Sequence, residues 1–256
     1  MRKSDSILWK TLKFLQLNKV YRLIRSSLPS SVVNVVSDVA YKNAHLRLVF
    51  AEELEPKYEM AWKHLQGLGV GLGDYLEFGV SVGTSMACMH RVLTKLGLNN
   101  IRSFGFDSFQ GMPASAAFED LGAFKPGQFA SPLAETKEFL NNAGIDWNRT
   151  HLTEGWFEDT LNEETTAKLG IRKASIIMID CDIYSATKTA LNYSKPMIID
   201  YAVLFFDDWK DDITYGEFKA YSEFLAENKY LQSVEFGSYP GHGKIFVVKN
   251  TKAVLN

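Results

Sequence analysis

Between Gly73 and Ser85 the chain reads Gly-Asp-Tyr-Leu-Glu-Phe-Gly-Val-Ser-Val-Gly-Thr-Ser, and this stretch limits the possible architecture more than any other. Tyr75 to Phe78 is a short apolar run of the kind that forms a buried strand. Gly79 and Gly83 bracket a turn, and Ser85 to Leu96 carries the apolar spacing of a helix. Strand, glycine turn and helix together make a unit that cradles nucleotides. The glycines let the backbone turn tightly and approach a ligand, and Thr84 and Ser85 stand where helix caps belong, beside unpaired amide N–H groups. Glu77, at the carboxyl end of the strand, is placed to accept hydrogen bonds from a cationic or hydroxyl-bearing ligand. The letters Gly79-Val80-Ser81-Val82-Gly83 also spell the G-x-S-x-G elbow of a serine hydrolase, so the rest of the chain has to decide between the two.

Downstream, the apolar runs recur as in a layered α/β protein. Ile101 to Phe106 reads as a second strand ending in Asp107-Ser108-Phe109, which places an acidic side chain where nucleotide-binding units grip a ribose. Residues 109–144 hold no clear strand and are punctuated by Gly111, Pro113, Gly122, Pro126, Gly127 and Pro132. So long an excursion reads as a functional lid or a loop, closed by a helix that Ser131-Pro132 opens. Thr150 to Thr153 reads as the third strand, leading into Gly155-Trp156-Phe157, an aromatic turn suited to stacking on a flat base.

The fourth run, Ala174 to Ile179, is apolar throughout, as a strand buried on both faces should be, and ends in Asp180-Cys181-Asp182. The fifth, Tyr201 to Phe206, ends in Asp207-Asp208-Trp209. Two adjacent strands thus bring four carboxylates to the carboxyl edge of the sheet, where open α/β folds bind ligands. With no Lys or Arg among them, a hard cation is the simplest means of stabilising the group, and magnesium suits all-oxygen ligation. Helix caps are the plainer use of the same aspartates. A helix over Gly216 to Glu227 and two antiparallel closing strands, Leu231 to Phe236 and Lys244 to Val248, complete the chain. The glycine-rich turn between those strands carries His242, a candidate base.

The 256 residues suit one large α/β domain with an extension, and the boundary falls in the cluster Gly67, Gly69, Gly71 and Gly73: a helical N-terminal part over residues 1–72 and an α/β core over 73–256. In the first part, Ile7 to Leu28 spaces leucines helically among Lys10, Lys13, Lys19, Arg22 and Arg25, which suits packing on the core or on a second subunit, or contact with an anionic membrane surface. Further helical regions run over 32–50 and from Pro56 to Gln66. A formal charge of −2 carries no polyanion signature, so nucleic acid is not an expected partner. The two cysteines, Cys88 and Cys181, sit in apolar contexts, and no apolar run reaches the ~20 residues of a membrane span. A reducing cytoplasm is the expected location.

Read in order, Tyr75-Leu76-Glu77-Phe78-Gly79-Val80-Ser81-Val82-Gly83-Thr84-Ser85, then Phe106-Asp107-Ser108-Phe109-Gln110-Gly111-Met112-Pro113, resemble class I S-adenosylmethionine-dependent methyltransferases. With Gly155 to Leu161, Asp180 to Thr187 and Asp207-Asp208-Trp209 added, the pattern over about residues 73–210 resembles the macrocin O-methyltransferase family. The resemblance implies a Rossmann-like sheet of seven strands whose last is antiparallel and inserted beside the fifth. It implies S-adenosylmethionine and Mg2+ as cofactors, with O-methylation of a hydroxyl on a sugar or glycosylated small molecule. By position it places Glu77, Gly79 and Ser85, with Ser81 in the same turn, at the methionine end of the cofactor. Asp107 and Ser108 fall at the ribose, Gly155, Trp156 and Phe157 beside the adenine, and Asp180 at the border of cofactor and metal. Asp180, Asp207 and Asp208 match the magnesium ligands, and Asp182 or His242 is the candidate base. Ser81 stands where a second glycine is usual and Cys181 where a glycine separates the acidic pair.

Two competing functions use the same residues. A serine hydrolase would take Ser81 as nucleophile, Asp207 or Asp208 as orienter and His242 as base, in a permitted chain order. It would leave Asp107, Asp180 and Trp156 without a task. A non-catalytic cofactor-binding scaffold has no need to gather carboxylates.

Overall fold

The computed structural model describes residues 51–211, 214–240 and 242–252. The amphipathic segment over 7–28 and the helical region over 32–50 fall outside the described residues. Within them the chain runs α1 (Ala51–Gly67), β1 (Asp74–Phe78), α2 (Thr84–Lys95), β2 (Ser103–Asp107), α3 (Leu133–Asn142), β3 (Thr150–Glu154), α4 (Phe157–Thr160), α5 (Glu163–Leu169), β4 (Ala174–Ile179), α6 (Tyr184–Ser194), β5 (Tyr201–Phe206), α7 (Gly216–Glu227), β6 (Leu231–Tyr239) and β7 (Gly243–Asn250).

Seven strands form one sheet in the order β3-β2-β1-β4-β5-β7-β6. The first five are parallel, and β7 lies antiparallel between β5 and β6, with Phe206 opposite Lys244. This is the seven-stranded arrangement with an inserted antiparallel strand that the sequence leads one to expect. β1 and β4 are buried at every residue, which explains why they read as unbroken apolar runs. β6, at the sheet edge, exposes Gln232, Glu235 and Val234, in keeping with an edge strand that faces water.

The period-two alternation of the strands divides the core between the two faces of the sheet. Leu76, Phe78, Ile177, Ile179, Leu204 and Phe206 face α6 and α7, whereas Tyr75, Ile176, Met178, Val203 and Phe205 face α1 and α2. Helix α1 buries Leu54, Tyr58, Ala61, Trp62 and Leu65 at the i, i+3, i+4 spacing of one stripe. Truncating a fully buried residue such as Leu65 to Ala removes about 2–5 kcal/mol of packing. Gly105 lets α2 sit close to β2: a Cβ there would meet Met86 and Val80 side-chain carbons at 2.6 Å. All five parallel strands therefore end at one edge, and the loops at that edge carry the aspartates singled out above.

Candidate active site at the carboxyl edge

The turn after β1 is shaped by close packing. Gly79 has φ +90°, and a Cβ there would overlap the carbonyl oxygen of Asp180, so the position admits glycine only. Helix α2 begins at Gly83 without a side-chain cap. The expected cap, Ser85, instead donates its hydroxyl to Oε1 of Glu77 at 2.5 Å. Oε2 of Glu77 accepts from Tyr75 at 2.6 Å, and the Tyr58 hydroxyl lies 3.1 Å from that of Tyr75. Glu77 is thus fully buried, with both oxygens engaged within the protein, and burial pushes its carboxyl up to about 7. A hydrogen-bonded chain runs from α1 through β1 to the first turn of α2.

Asp107 closes this turn from the second strand. Its Oδ2 accepts the backbone N–H groups of Val80 and Ser81, each at 2.8 Å, and Oδ1 accepts that of Phe109 at 2.6 Å. Burial raises its pKa in spite of these three donors. The Ser81 backbone adopts φ +48°, its carbonyl accepts from Thr136 at 2.6 Å, and its own hydroxyl is buried without a partner. Ser108 folds the following turn, accepting the N–H of Gln110 and donating to the carbonyl of Gly111. Gly155, with φ +142°, donates its N–H to the carbonyl of Asp107 at 2.9 Å. Trp156 then starts the short α4 and Phe157 packs edge-on against Phe78. Residues 79–81, 107–108 and 155–157 are thereby brought together around the ends of β1, β2 and β3.

Beside them, Asp180, Asp207 and Asp208 each offer a carboxylate oxygen, and the three oxygens lie within 4.8 Å of one another. The three side chains are half-buried, and one oxygen of Asp207 is buried without a hydrogen-bond partner. Asp180 is pushed well above the usual carboxylate range, by burial first and then by Asp207 and Asp208. Burial and Asp208 hold Asp207 up at about 7. Asp182, at φ +60°, is raised by burial and then by Asp208.

Two acidic groups that the sequence did not single out complete this edge. Glu217, in the first turn of α7, is 1% exposed. Its Oε2 accepts the N–H of Asp208 at 3.1 Å, and burial, then Asp208, drive its carboxyl well upward. From the 109–144 excursion, Asp120 accepts the N–H of Tyr184 through Oδ2 and that of Gly216 through Oδ1, both at 2.8 Å. Its neighbour Glu119 takes the N–H and hydroxyl of Ser185 at 3.1 and 2.9 Å. The excursion is therefore a strap whose acidic pair caps α6, the helix that follows Asp182, and α7, the helix whose first turn holds Glu217.

The register of β7 against β5 puts His242 next to the carboxyl end of β5, in a left-handed turn with its side chain exposed. Ser81 lies at the end of β1, three strand spacings away in the order β1-β4-β5-β7, or about 14 Å at ~4.8 Å per strand. Among the described residues Ser81 and His242 make no hydrogen bond, so the hydrolase triad is not assembled.

Comparison with known proteins agrees with this architecture. A family model described as macrocin-O-methyltransferase matches residues 63–235, more than half of the chain. A Streptomyces olivaceus protein, 8-demethyl-8-(2,3-dimethoxy-α-L-rhamnosyl)-tetracenomycin-C 4'-O-methyltransferase, is 30% identical over 146 residues, 55% of this chain. The match spans about half of that relative, 54% of its length. Among solved structures, the O-methyltransferase NovP superposes with a TM-score of 0.62 at 21% identity, covering 77% of this chain and 79% of its own. The calicheamicin methyltransferase CalS11 gives 0.59 at 18% identity over 92% and 91%. Both share the fold.

Proposed function

The chain belongs to the macrocin-O-methyltransferase family, and from that premise we propose that it moves the methyl group of S-adenosylmethionine to a sugar hydroxyl of a glycosylated small molecule with the help of Mg2+. The observation that carries this reading is the convergence of Asp180, Asp207 and Asp208 within 4.8 Å beside a glycine turn that Asp107 holds closed. The name of the Streptomyces relative, which specifies a rhamnosyl group, supports a sugar as acceptor.

In this reading Gly79, Ser81 and Ser108 line the cofactor cradle, where the unpartnered Ser81 hydroxyl is a polar group in want of a ligand. Asp107 presents its remaining lone pairs to the ribose. Trp156 and Phe157 flank the base, and Glu77 supports the methionine end through Ser85. The acidic trio fits a hard divalent cation: its donors are all oxygen, and the orphaned Asp207 oxygen lacks a partner that such an ion would supply. When bound, Mg2+ lowers the pKa of an acceptor hydroxyl and orients it. The protein's own contribution is alignment, because transfer from a sulfonium depends on holding donor and acceptor oxygen in line and close. Asp182, half-buried beside Asp208, takes the hydroxyl proton on its carboxylate. His242, exposed at the hairpin tip, is the less favoured base.

The test is calorimetric titration of S-adenosylhomocysteine into the purified protein, followed by methyl transfer to rhamnosylated acceptors with and without a chelator. Saturable binding with chelator-sensitive turnover supports the reading. A folded protein that does not bind S-adenosylhomocysteine refutes it.

A further inference from the structure

Tyr75 and Glu77 stand two residues apart on β1 and so point to the same face of the sheet, the one that α1 and α2 cover. Between those helices they join a chain of four polar side chains. Tyr58 of α1 lies 3.1 Å from Tyr75 through their hydroxyls, Tyr75 donates to Oε2 of Glu77 at 2.6 Å, and Ser85 of α2 donates to Oε1 at 2.5 Å. Tyr58, Tyr75 and Glu77 are 0% exposed, and Ser85, at 7%, is the one member that touches the surface. The chain thus enters the core at Ser85 and ends inside it, at a Tyr58 ring packed on those of Tyr75 and Phe205.

Packing does not ask for these groups. Phenylalanine at positions 58 and 75 would fill the same space with no hydroxyl to satisfy, and a buried carboxylate is costly unless its partners are all in place. Counting hydrogens shows what the arrangement achieves. An ionised carboxylate only accepts, so Tyr75 and Ser85 both donate to Glu77, and Tyr58, whose hydrogen has the Tyr75 oxygen as acceptor, closes the far end. The Ser85 hydrogen is then committed inward. Ser85 presents only lone pairs outward, which suit an N–H donor and repel a carboxylate.

We infer that Tyr58 and Tyr75 are positioning residues for the cofactor: acting through Glu77, they hold Ser85 as a hydrogen-bond acceptor for the ammonium of the cofactor's methionine end. Glu77 itself, sealed and with both oxygens engaged, does not touch the cofactor. Tyr58 lies outside the residues 63–235 that the family model matches, so α1 brings to the site a contribution particular to this chain. The inference rests on the methyltransferase reading for the cofactor and adds the residues that orient its amino group.

The test is calorimetry on the full chain at pH 8, above the value of about 7 at which Glu77 ionises, with S-adenosylhomocysteine and its desamino analogue, which lacks only the ammonium. The wild type is expected to prefer S-adenosylhomocysteine by about ten-fold or more. Tyr75→Phe removes one donor from Glu77 and keeps the ring; it should cut that preference by about five-fold while affinity for the desamino analogue stays within about two-fold. Tyr58→Phe leaves Tyr75 bonded to Glu77 and should cut the preference by only about two-fold. Ser85→Ala should abolish the preference, and adding Tyr75→Phe to it should cost nothing more, because the hydroxyl through which Tyr75 acts is gone. The preference is a ratio of two affinities, so a partly unfolded variant does not distort it, and if Tyr75→Phe does not fold, Tyr58→Phe and Ser85→Ala carry the test. Equal losses for both ligands in the tyrosine variants reduce these residues to packing and overturn the inference. A tyrosine effect that persists undiminished beside Ser85→Ala overturns the path through Ser85. A wild type that binds both ligands equally overturns the ammonium contact, whereas a folded wild type that binds neither strikes at the methyltransferase reading itself.

Discussion

The carboxylate of Asp107 accepts the backbone N–H of Ser81 at 2.8 Å, and so ties the end of β2 to the turn that follows β1. With the bonds from Val80 and Phe109 it holds three amides that have no other acceptor within the turn. Asp107→Ala therefore leaves buried donors unpaired, at about 1–3 kcal/mol for each group that water cannot reach. Both the melting temperature and the affinity for S-adenosylhomocysteine should fall, the latter by about ten-fold or more. Differential scanning fluorimetry beside calorimetry separates the two effects. A lowered melting temperature with unchanged affinity would reduce Asp107 to a structural staple.

Glu77 offers a prediction whose sign can be worked out. Its folded-state pKa, about 7, lies above the ordinary value of 4.5, so the folded protein retains a proton that the unfolded chain has released. Stability is therefore lost as pH rises from about 4.5 to about 7 and is flat above that, with a total effect of about 3 kcal/mol at most. Glu77→Gln mimics the protonated form, can still satisfy Ser85 and Tyr75, and should flatten this part of the profile. Urea unfolding of both proteins at a series of pH values measures the difference. Parallel profiles would show that Glu77 ionises without cost, through water reaching it.

The acidic trio should respond to cations in the wild type and lose that response in a neutralised variant. Asp207 is held at about 7 and Asp180 is also raised, so without a cation the folded state loses stability as pH climbs out of the carboxylate range towards 7. A cation bound only by the folded state adds about 2.7 kcal/mol at a hundred-fold excess over its Kd. Mg2+ should thus raise the melting temperature more at pH 8 than at pH 5. Asp207→Asn should be more stable than the wild type in chelator at pH 8, because it removes an uncompensated buried charge, and should lose the response to Mg2+. A wild-type melting temperature that Mg2+ does not move at pH 8 would remove the metal from the proposed function.

The sequence announced what depends on strand periodicity and on strand ends. The runs at Ala174–Ile179 and Tyr201–Phe206 are apolar because both faces of the sheet are covered, and the aspartates that follow each run had to emerge at one edge once the strands were parallel. Hidden from sequence reasoning was everything set by contacts far apart in the chain. Glu217, in the first turn of a helix, resembles any acidic residue placed to complement a helix dipole, and only the packing of α7 beside Asp208 shows it with an oxygen to spare. Ser85 reads as a cap, yet the strand turns Glu77 toward it and captures its hydroxyl. Glu119 and Asp120 lie in a stretch with no periodicity at all, and their partners are 64 to 96 residues away.

That strap yields the last prediction. Residues 109–130 are held down on the site by a small apolar cluster, Met112, Ala116 and Ile183, and by the two carboxylates that cap α6 and α7. Flanking the cap residues in sequence, Phe118 and Leu121 are 91% and 89% exposed, so the strap carries a ready chymotrypsin site at Phe118 that cleaves only when the segment lifts. Asp120→Ala removes two caps at about 1 kcal/mol each, which raises the open population by about ten-fold or more if opening is local. Cleavage after Phe118 should accelerate by the same factor while the melting temperature shifts by only a few degrees, because the sheet and its two helix layers are untouched. Glu119→Ala should act in the same direction, and the two together should exceed the sum of the single effects, since both residues hold the same short segment against α6. Because Asp120 and Phe124 also lie around one surface depression with Asp182 and Asp208, an open strap should raise the KM for the acceptor more than it lowers kcat. If the cleavage rate is unchanged in Asp120→Ala, the apolar cluster alone holds the strap and the carboxylates serve only the helices they cap.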